Sequence, residues 1–143
     1  IAPQYTRLSN LNNRDEKQSD ENEETDAVSS SVVKIATQVN AKLIIVLTTS
    51  GATAKRIARH RPNQPILALC PNYQAMRWLA LTWGVQAVHC PLTRNLDECI
   101  SLAMKAAKNN PIAKLSKGDA FVISAGVPFG KSGTTNLALI QRV

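Results

Sequence analysis

Two turns hold the side chains best suited to chemistry. The first is Thr48-Thr-Ser-Gly-Ala-Thr53, entered from the apolar run Leu43–Leu47 and followed by a helical pattern. A strand, a tight turn and a helix N-terminus form an anion site. The first N–H groups of the helix lack partners within it, and its dipole favours negative charge at that end. Thr48, Thr49, Ser50 and Thr53 add hydroxyl donors, and Gly51 lets the backbone turn sharply. The second turn runs from Ala125 to Thr135, where Gly130, Lys131, Ser132, Gly133, Thr134 and Thr135 combine backbone N–H groups, hydroxyls and one ammonium. The chemistry expected of such residues is capture of a phosphate-bearing ligand.

Bond-making chemistry has no comparable support. Asp97 and Glu98 read as cap residues and Asp119 as a turn residue, so no pair of carboxylates is placed for acid–base work. His60 and His89 are isolated, and His89 reads as a core or strand-end residue. Cys70, Cys90 and Cys99 form no CxxC pair and read as small buried hydrophobes. We therefore expect no catalytic residue and no metal site. Gly130-Lys-Ser132 invites a P-loop reading, but the spacing fails. The glycine that should stand four residues ahead of the Gly-Lys pair is Ala125, and a strand pattern follows where the motif needs a helix. A hairpin connection without ligand is the plain alternative for this second turn.

The elements that must position these turns follow in order. Val28, Val32, Ile35, Ala36 and Val39 share one helical face, with a cap expected at Thr25-Asp26 and a stop at Asn40. The spacing then predicts a strand at Leu43–Leu47 and a helix from Ser50–Gly51 to about His60, stopped by Pro62. A strand at Ile66–Cys70 comes next, then a helix over about Tyr73–Trp83 with Asn72 as its N-cap. That helix is apolar nearly all round, so it should be deeply buried or packed against another subunit, with Trp78 and Trp83 in the core or in a subunit contact. Further strands are expected at Gln86–Cys90, Ala120–Ser124 and Asn136–Val143, with a helix opened by Asn95-Leu-Asp-Glu98 between the first two.

Strands separated by helices require parallel, right-handed crossovers. The last connection contains no helix and suits an antiparallel return. The expectation is a three-layer α/β/α fold with a five-stranded mixed sheet, order 3-2-1-4-5, strand 5 antiparallel. Its switch point lies between the ends of strands 1 and 4, where open α/β sheets bind ligands, and this brings the two hydroxyl-rich turns together.

Composition sets the remaining bounds. The chain has 143 residues and a net charge of +7, which hides an asymmetry. Seven of its ten acids lie between Asp15 and Asp26, whereas residues 27–143 carry 14 bases against three acids. Such a domain prefers anionic partners: phosphorylated metabolites, nucleic acid or an acidic neighbour. Residues 1–26 read as a polar lead-in, largely a mobile linker, ahead of a domain over 27–143. The start at Ile1 suggests a piece of something longer. No apolar run is long enough to span a membrane. The basic run Lys55-Arg-Ile-Ala-Arg-His-Arg61 could contact nucleic acid, but no aromatics are interleaved with it, which favours a solvated helix face.

Five motifs stand in order over about residues 27–143: Val46-Leu-Thr48-Thr-Ser50-Gly51-Ala-Thr53-Ala54, Arg59-His-Arg61-Pro62-Asn-Gln-Pro65-Ile66, Trp83-Gly84-Val85, Lys117-Gly118-Asp119 and Gly126-Val127-Pro128-Phe-Gly130-Lys-Ser132-Gly133-Thr134-Thr135-Asn136. In these motifs and their order the chain resembles the C-terminal domain of pyruvate kinase. The resemblance implies a regulatory and subunit-association domain in a cytoplasmic glycolytic enzyme. Catalysis would belong to a separate (β/α)₈ barrel that uses Mg²⁺ and K⁺ to move phosphate from phosphoenolpyruvate to ADP. It also implies homo-oligomers, tetramers in the family, and a sugar-phosphate effector held by Thr48, Thr49, Ser50, Gly51 and Thr53 with Gly130–Thr135. Members that take fructose 1,6-bisphosphate often carry a Trp- and Arg-containing insertion for its second phosphate. Here that stretch is only Pro91-Leu-Thr-Arg94-Asn95, so a monophosphate is an equal expectation. A free-standing phosphate-ligand module of the same fold is the alternative, ahead of a basic nucleic-acid binder.

Overall fold

The computed structural model of the chain describes residues 23–126 and 135–143. Most of the acidic lead-in, and Gly130, Lys131, Ser132, Gly133 and Thr134 of the second turn, lie outside the described residues. Helix α1 covers residues 23–38, followed by β1 (Leu43–Leu47), α2 (Ala52–Arg59), β2 (Ile66–Cys70), α3 (Tyr73–Leu79), β3 (Val85–His89), α4 (Leu96–Lys108), β4 (Ala120–Ala125) and β5 (Leu137–Arg142). The strands form one sheet in the order β3-β2-β1-β4-β5, parallel except for the antiparallel β4–β5 pair. The topology expected from helix-separated strands is the topology found.

The apolar runs of β1, β2 and β4 are explained by two cores, one on each face of the sheet. On one face, Val32 and Ala36 of α1, Ala54 and Ile57 of α2 and Leu79 of α3 pack against Ile44, Val46, Ile66, Ala68 and Val122. On the other, Cys99, Ala103 and Ala107 of α4 cover Leu43, Ile45, Leu67, Leu69, Phe121 and Ile123. Helices with small residues on their inner stripe can lie close to a sheet of Ile, Leu and Val. This is how a chain with few aromatics fills its interior at native density.

Several boundaries depart from expectation, each for a local reason. Helix α1 is already helical at residue 23, so Thr25 is not its cap. Thr25 is buried within the helix, and its carbonyl accepts the Ser29 hydroxyl proton at 2.8 Å. Asn40 does stop the helix. It adopts φ 52, with Ala41 N–H bonded back to the Ala36 carbonyl and Asn40 N–H to that of Thr37, a left-handed cap of the Schellman type. Helix α3 ends at Leu79, one turn before Trp83. Beyond it the bonds tighten to three-residue spacing, Leu81 N–H to Trp78 and Thr82 N–H to Leu79, and Gly84 at φ 74 turns the chain into β3. The other two expected caps are present. Asn72 Oδ1 accepts from Gln74 N–H, and Asn95 Oδ1 accepts from Glu98 N–H, both at 2.9 Å. Glu98 completes its box one residue early, accepting from Arg94 N–H at 2.9 Å.

Candidate anion-binding crevice

The site is built where β1 and β4, neighbours in the sheet, release the chain in opposite directions. Helix α2 connects β1 to β2 on one face, and α4 arrives at β4 along the other. The crevice at the carboxyl ends of β1 and β4 follows from that topology.

The first turn is held by its own residues. Thr48 N–H continues the ladder to the Leu69 carbonyl at 3.1 Å, and its hydroxyl oxygen then accepts from Gly51 N–H at 2.9 Å. The turn closes through Gly51, which caps α2 at φ 84. A Cβ there would meet the Leu79 side chain at 3.2–3.3 Å, so glycine serves both the backbone angle and the close approach of α3. Cys70 Sγ lies 3.6 Å from the Thr49 carbonyl oxygen and supports the turn from β2. The first intrahelical bond of α2 is Lys55 N–H to the Gly51 carbonyl, so the N–H groups of Ala52, Thr53 and Ala54 precede the helical ladder.

The hydroxyls divide into two groups. Those of Thr48 and Thr53 are buried, with residue exposures of 8% and 7%. Thr48 braces the turn, whereas the Thr53 hydroxyl bonds directly to that of Thr135, itself buried, 82 residues further along the chain. Thr49 is half-buried and Ser50 exposed, and Ser50 Oγ makes a long contact of 3.4 Å with Ala52 N–H. Thr48 and Thr53 therefore set the geometry of the turn, and Thr49 and Ser50 stand open at its surface. Of the second turn, Thr135 is described and meets the first turn across the switch point. Asn136 N–H, next in sequence, bonds to the Ala125 carbonyl at 3.2 Å and starts the β4–β5 pairing.

One residue escaped the sequence reading. Ser124 Oγ, fully buried on β4 opposite Val46 and Ala138, has no hydrogen-bond partner among the described residues. It lies on the α2 side of the sheet, one residue before the strand's end. The signal was available: a single hydroxyl in the apolar strand Ala-Phe-Val-Ile-Ser-Ala, beside the switch point.

The other residues weighed from sequence fall elsewhere. The three thiols are free and buried, and burial, aided by the neighbouring Cys70 and Cys99 thiols, pushes Cys90 up to about 11. His89 is exposed at the end of β3, not in the core, and its ring stacks on Tyr73 with centroids 4.1 Å apart. Trp78 and Trp83 are not in the core either, at 61% and 59% exposure. Each lies beside a cation of the basic run. Lys55 Nζ is 5.5 Å from the Trp78 ring and the Arg61 guanidinium is 4.5 Å from the Trp83 ring. The aromatics missing from that run in sequence are thus supplied in space by the α3 region. Among the described residues, no group of three or more His, Cys, Asp or Glu side chains is arranged to hold a metal ion, and no helix is long and apolar enough to cross a membrane.

Comparison with known proteins agrees with this geometry. The family model described as "Pyruvate kinase, alpha/beta domain" matches residues 26–141. The chain is 41% identical over 117 residues to the pyruvate kinase of Lactobacillus delbrueckii subsp. bulgaricus, 40% to that of Geobacillus stearothermophilus and 36% to that of Staphylococcus aureus. In each case the match covers 82% of this chain and 20% of the relative, so the chain spans about a fifth of the length of the curated relatives it matches. From residue 26 to residue 141, through the Thr/Ser turn, the sheet and the closing strand, the chain belongs to the pyruvate kinase alpha/beta domain family.

Proposed function

We propose that this domain is the regulatory part of a pyruvate kinase and binds a phosphorylated small molecule at the crevice between β1 and β4. The supporting observation is the Thr53–Thr135 hydroxyl contact, which ties the first turn to the residue that leads into β5. A phosphate at the start of α2 would receive the N–H groups of its first turn together with the Thr49 and Ser50 hydroxyls. The basic balance of residues 27–143 draws anions toward it. In this reading catalysis, with its Mg²⁺ and K⁺, belongs to a barrel domain of the parent enzyme in the cytoplasm. The domain's own roles are effector binding and homo-oligomer assembly.

A thermal-shift series on the chain tests the ligand reading. Sugar monophosphates, sugar bisphosphates and the corresponding free sugars are compared. A ligand that binds only the folded state at a hundred times its Kd adds about 2.7 kcal/mol of stability, a rise of several degrees in Tm. Ser50→Glu, which places a carboxylate at the open end of the turn, should abolish that rise while leaving the unliganded Tm within about a degree, as expected of an exposed site. Equal shifts with free sugars, or a rise that survives Ser50→Glu, would remove the phosphate site from the first turn.

A further inference from the structure

Away from the crevice, the outer face of α2 and α3 combines charge with uncovered apolar area. Trp78 and Trp83, each beside a cation of the Lys55–Arg61 run, are about three-fifths exposed, and Leu81 between them in sequence is 87% exposed. Apolar side chains grouped in this way mark a docking surface, and Trp, Tyr and Arg are the types that anchor one. Helix α2 lies between α1 and α3. Its Arg56 Nε reaches Asp26 of α1 at 3.8 Å, while its Lys55 lies over Trp78 on the other side. Arg59 and Arg61 are exposed along the same ridge, and Arg61 covers Trp83.

The charges select the occupant. A second copy docked face to face would set Lys55, Arg59 and Arg61 against the same cations, which is repulsive. A nucleic-acid base would have to stack on indoles that already carry a cation over the ring. The face calls for carboxylates with a few apolar groups, and residues 1–22 contain both. Asp15, Glu16, Asp20 and Glu21 run into Glu23, Glu24 and Asp26 of α1, and Ile1, Tyr5, Leu8 and Leu11 precede them. Asp26 already meets Arg56, the residue next to Lys55 on α2. The reach is ample. A helix is about 10–12 Å across, whereas an extended chain covers about 3.3–3.6 Å per residue, so a few residues suffice to cross α2.

We propose that residues 1–22 dock on the α2–α3 face of their own chain, with acidic side chains on the Lys55–Arg59–Arg61 ridge and apolar ones over Trp78 and Trp83. The proposal is independent of the effector reading. The test uses the full chain, whose only two tryptophans both stand on this face, so the whole indole emission reports on it. Acrylamide quenching is measured on the parent and on the quadruple variant Asp15→Asn, Glu16→Gln, Asp20→Asn, Glu21→Gln, with circular dichroism confirming that both are folded. Docking predicts that the variant's quenching constant rises about twofold or more, and that 0.5 M salt raises the parent's to the same level without changing the variant's, because salt screens such contacts. Equal quenching of parent and variant at low salt overturns the proposal. So does protection that grows with protein concentration, which would assign the face to a second copy. Protection seen only on adding poly(U) would assign it to nucleic acid and equally overturn it.

Discussion

The centre of the sheet and its β3 edge are written in similar residues and behave in opposite ways. β1 and β4 read Leu-Ile-Ile-Val-Leu and Ala-Phe-Val-Ile-Ser-Ala and are buried almost throughout. The segment Tyr73–Val88 is also mostly apolar, eleven residues of sixteen, yet Tyr73, Trp78, Leu81, Trp83 and Val88 are exposed. A central strand is covered by helices on both faces, α1 and α2 on one and α4 on the other, whereas an edge strand has one open side. Apolar composition therefore marks the interior only where the topology supplies neighbours. Elsewhere it marks surface that something else can cover.

The largest contrast between the two regions should appear on truncation. Phe121→Ala, which removes a fully buried ring from β4, should cost about 3–5 kcal/mol in urea denaturation. Leu81→Ala, at an 87% exposed position, should stay within about 0.5 kcal/mol. Comparable losses at the two sites would mean that the edge is packed after all.

The crevice can be probed through Gly51, where centre and edge meet. Gly51→Ala forces a side chain into φ 84 and brings its Cβ to 3.2–3.3 Å from Leu79, so a loss of about 1–2 kcal/mol is expected. If Leu79 can shift away, the loss should fall toward the lower figure, and a Leu79→Val background should reduce it further.

Cys90 sharpens the comparison, because it follows exposed β3 and yet turns inward. Burial raises its thiol from 9.0 to about 11, so between those values the folded chain keeps a proton that the unfolded chain has lost. The stability associated with this group is complete below about pH 9 and is lost as pH rises toward 11, by at most about 1.4 kcal/mol per pH unit. Equilibrium unfolding between pH 8 and 11 should show a flatter decline for Cys90→Ala than for the parent. Parallel curves would show that Cys90 does not govern the alkaline limb.

Much of the fold was legible because the signals were local. Helix-separated apolar runs require parallel crossovers, and the helix-free last connection requires an antiparallel return, which gives the strand directions. The order 3-2-1-4-5 is the most economical arrangement of such strands and is the one found. Asn72 and Asn95 act as caps because a cap is a contact with residues two or three positions away. The first turn was legible for the same reason, since Thr48 and Gly51 bond to each other across three residues. The end of α3 was harder to read, because Ala80–Trp83 keeps a helix-compatible composition while the bonds tighten and Gly84 breaks the direction.

The sequence by itself determined the elements and the family, because the elements rest on patterns a few residues long and the family on short motifs in a fixed order along the chain. Only the tertiary structure decided what those residues face. It turned Thr53 toward Thr135 and left Ser50 outside, buried the Ser124 hydroxyl in the core, and put Trp78 and Trp83 in solvent beside Lys55 and Arg61. Those outcomes depend on which helix covers which strand, and so on contacts between residues that are remote in the chain. An apolar or hydroxyl side chain carries the same local signal whether its neighbour is protein, ligand or water.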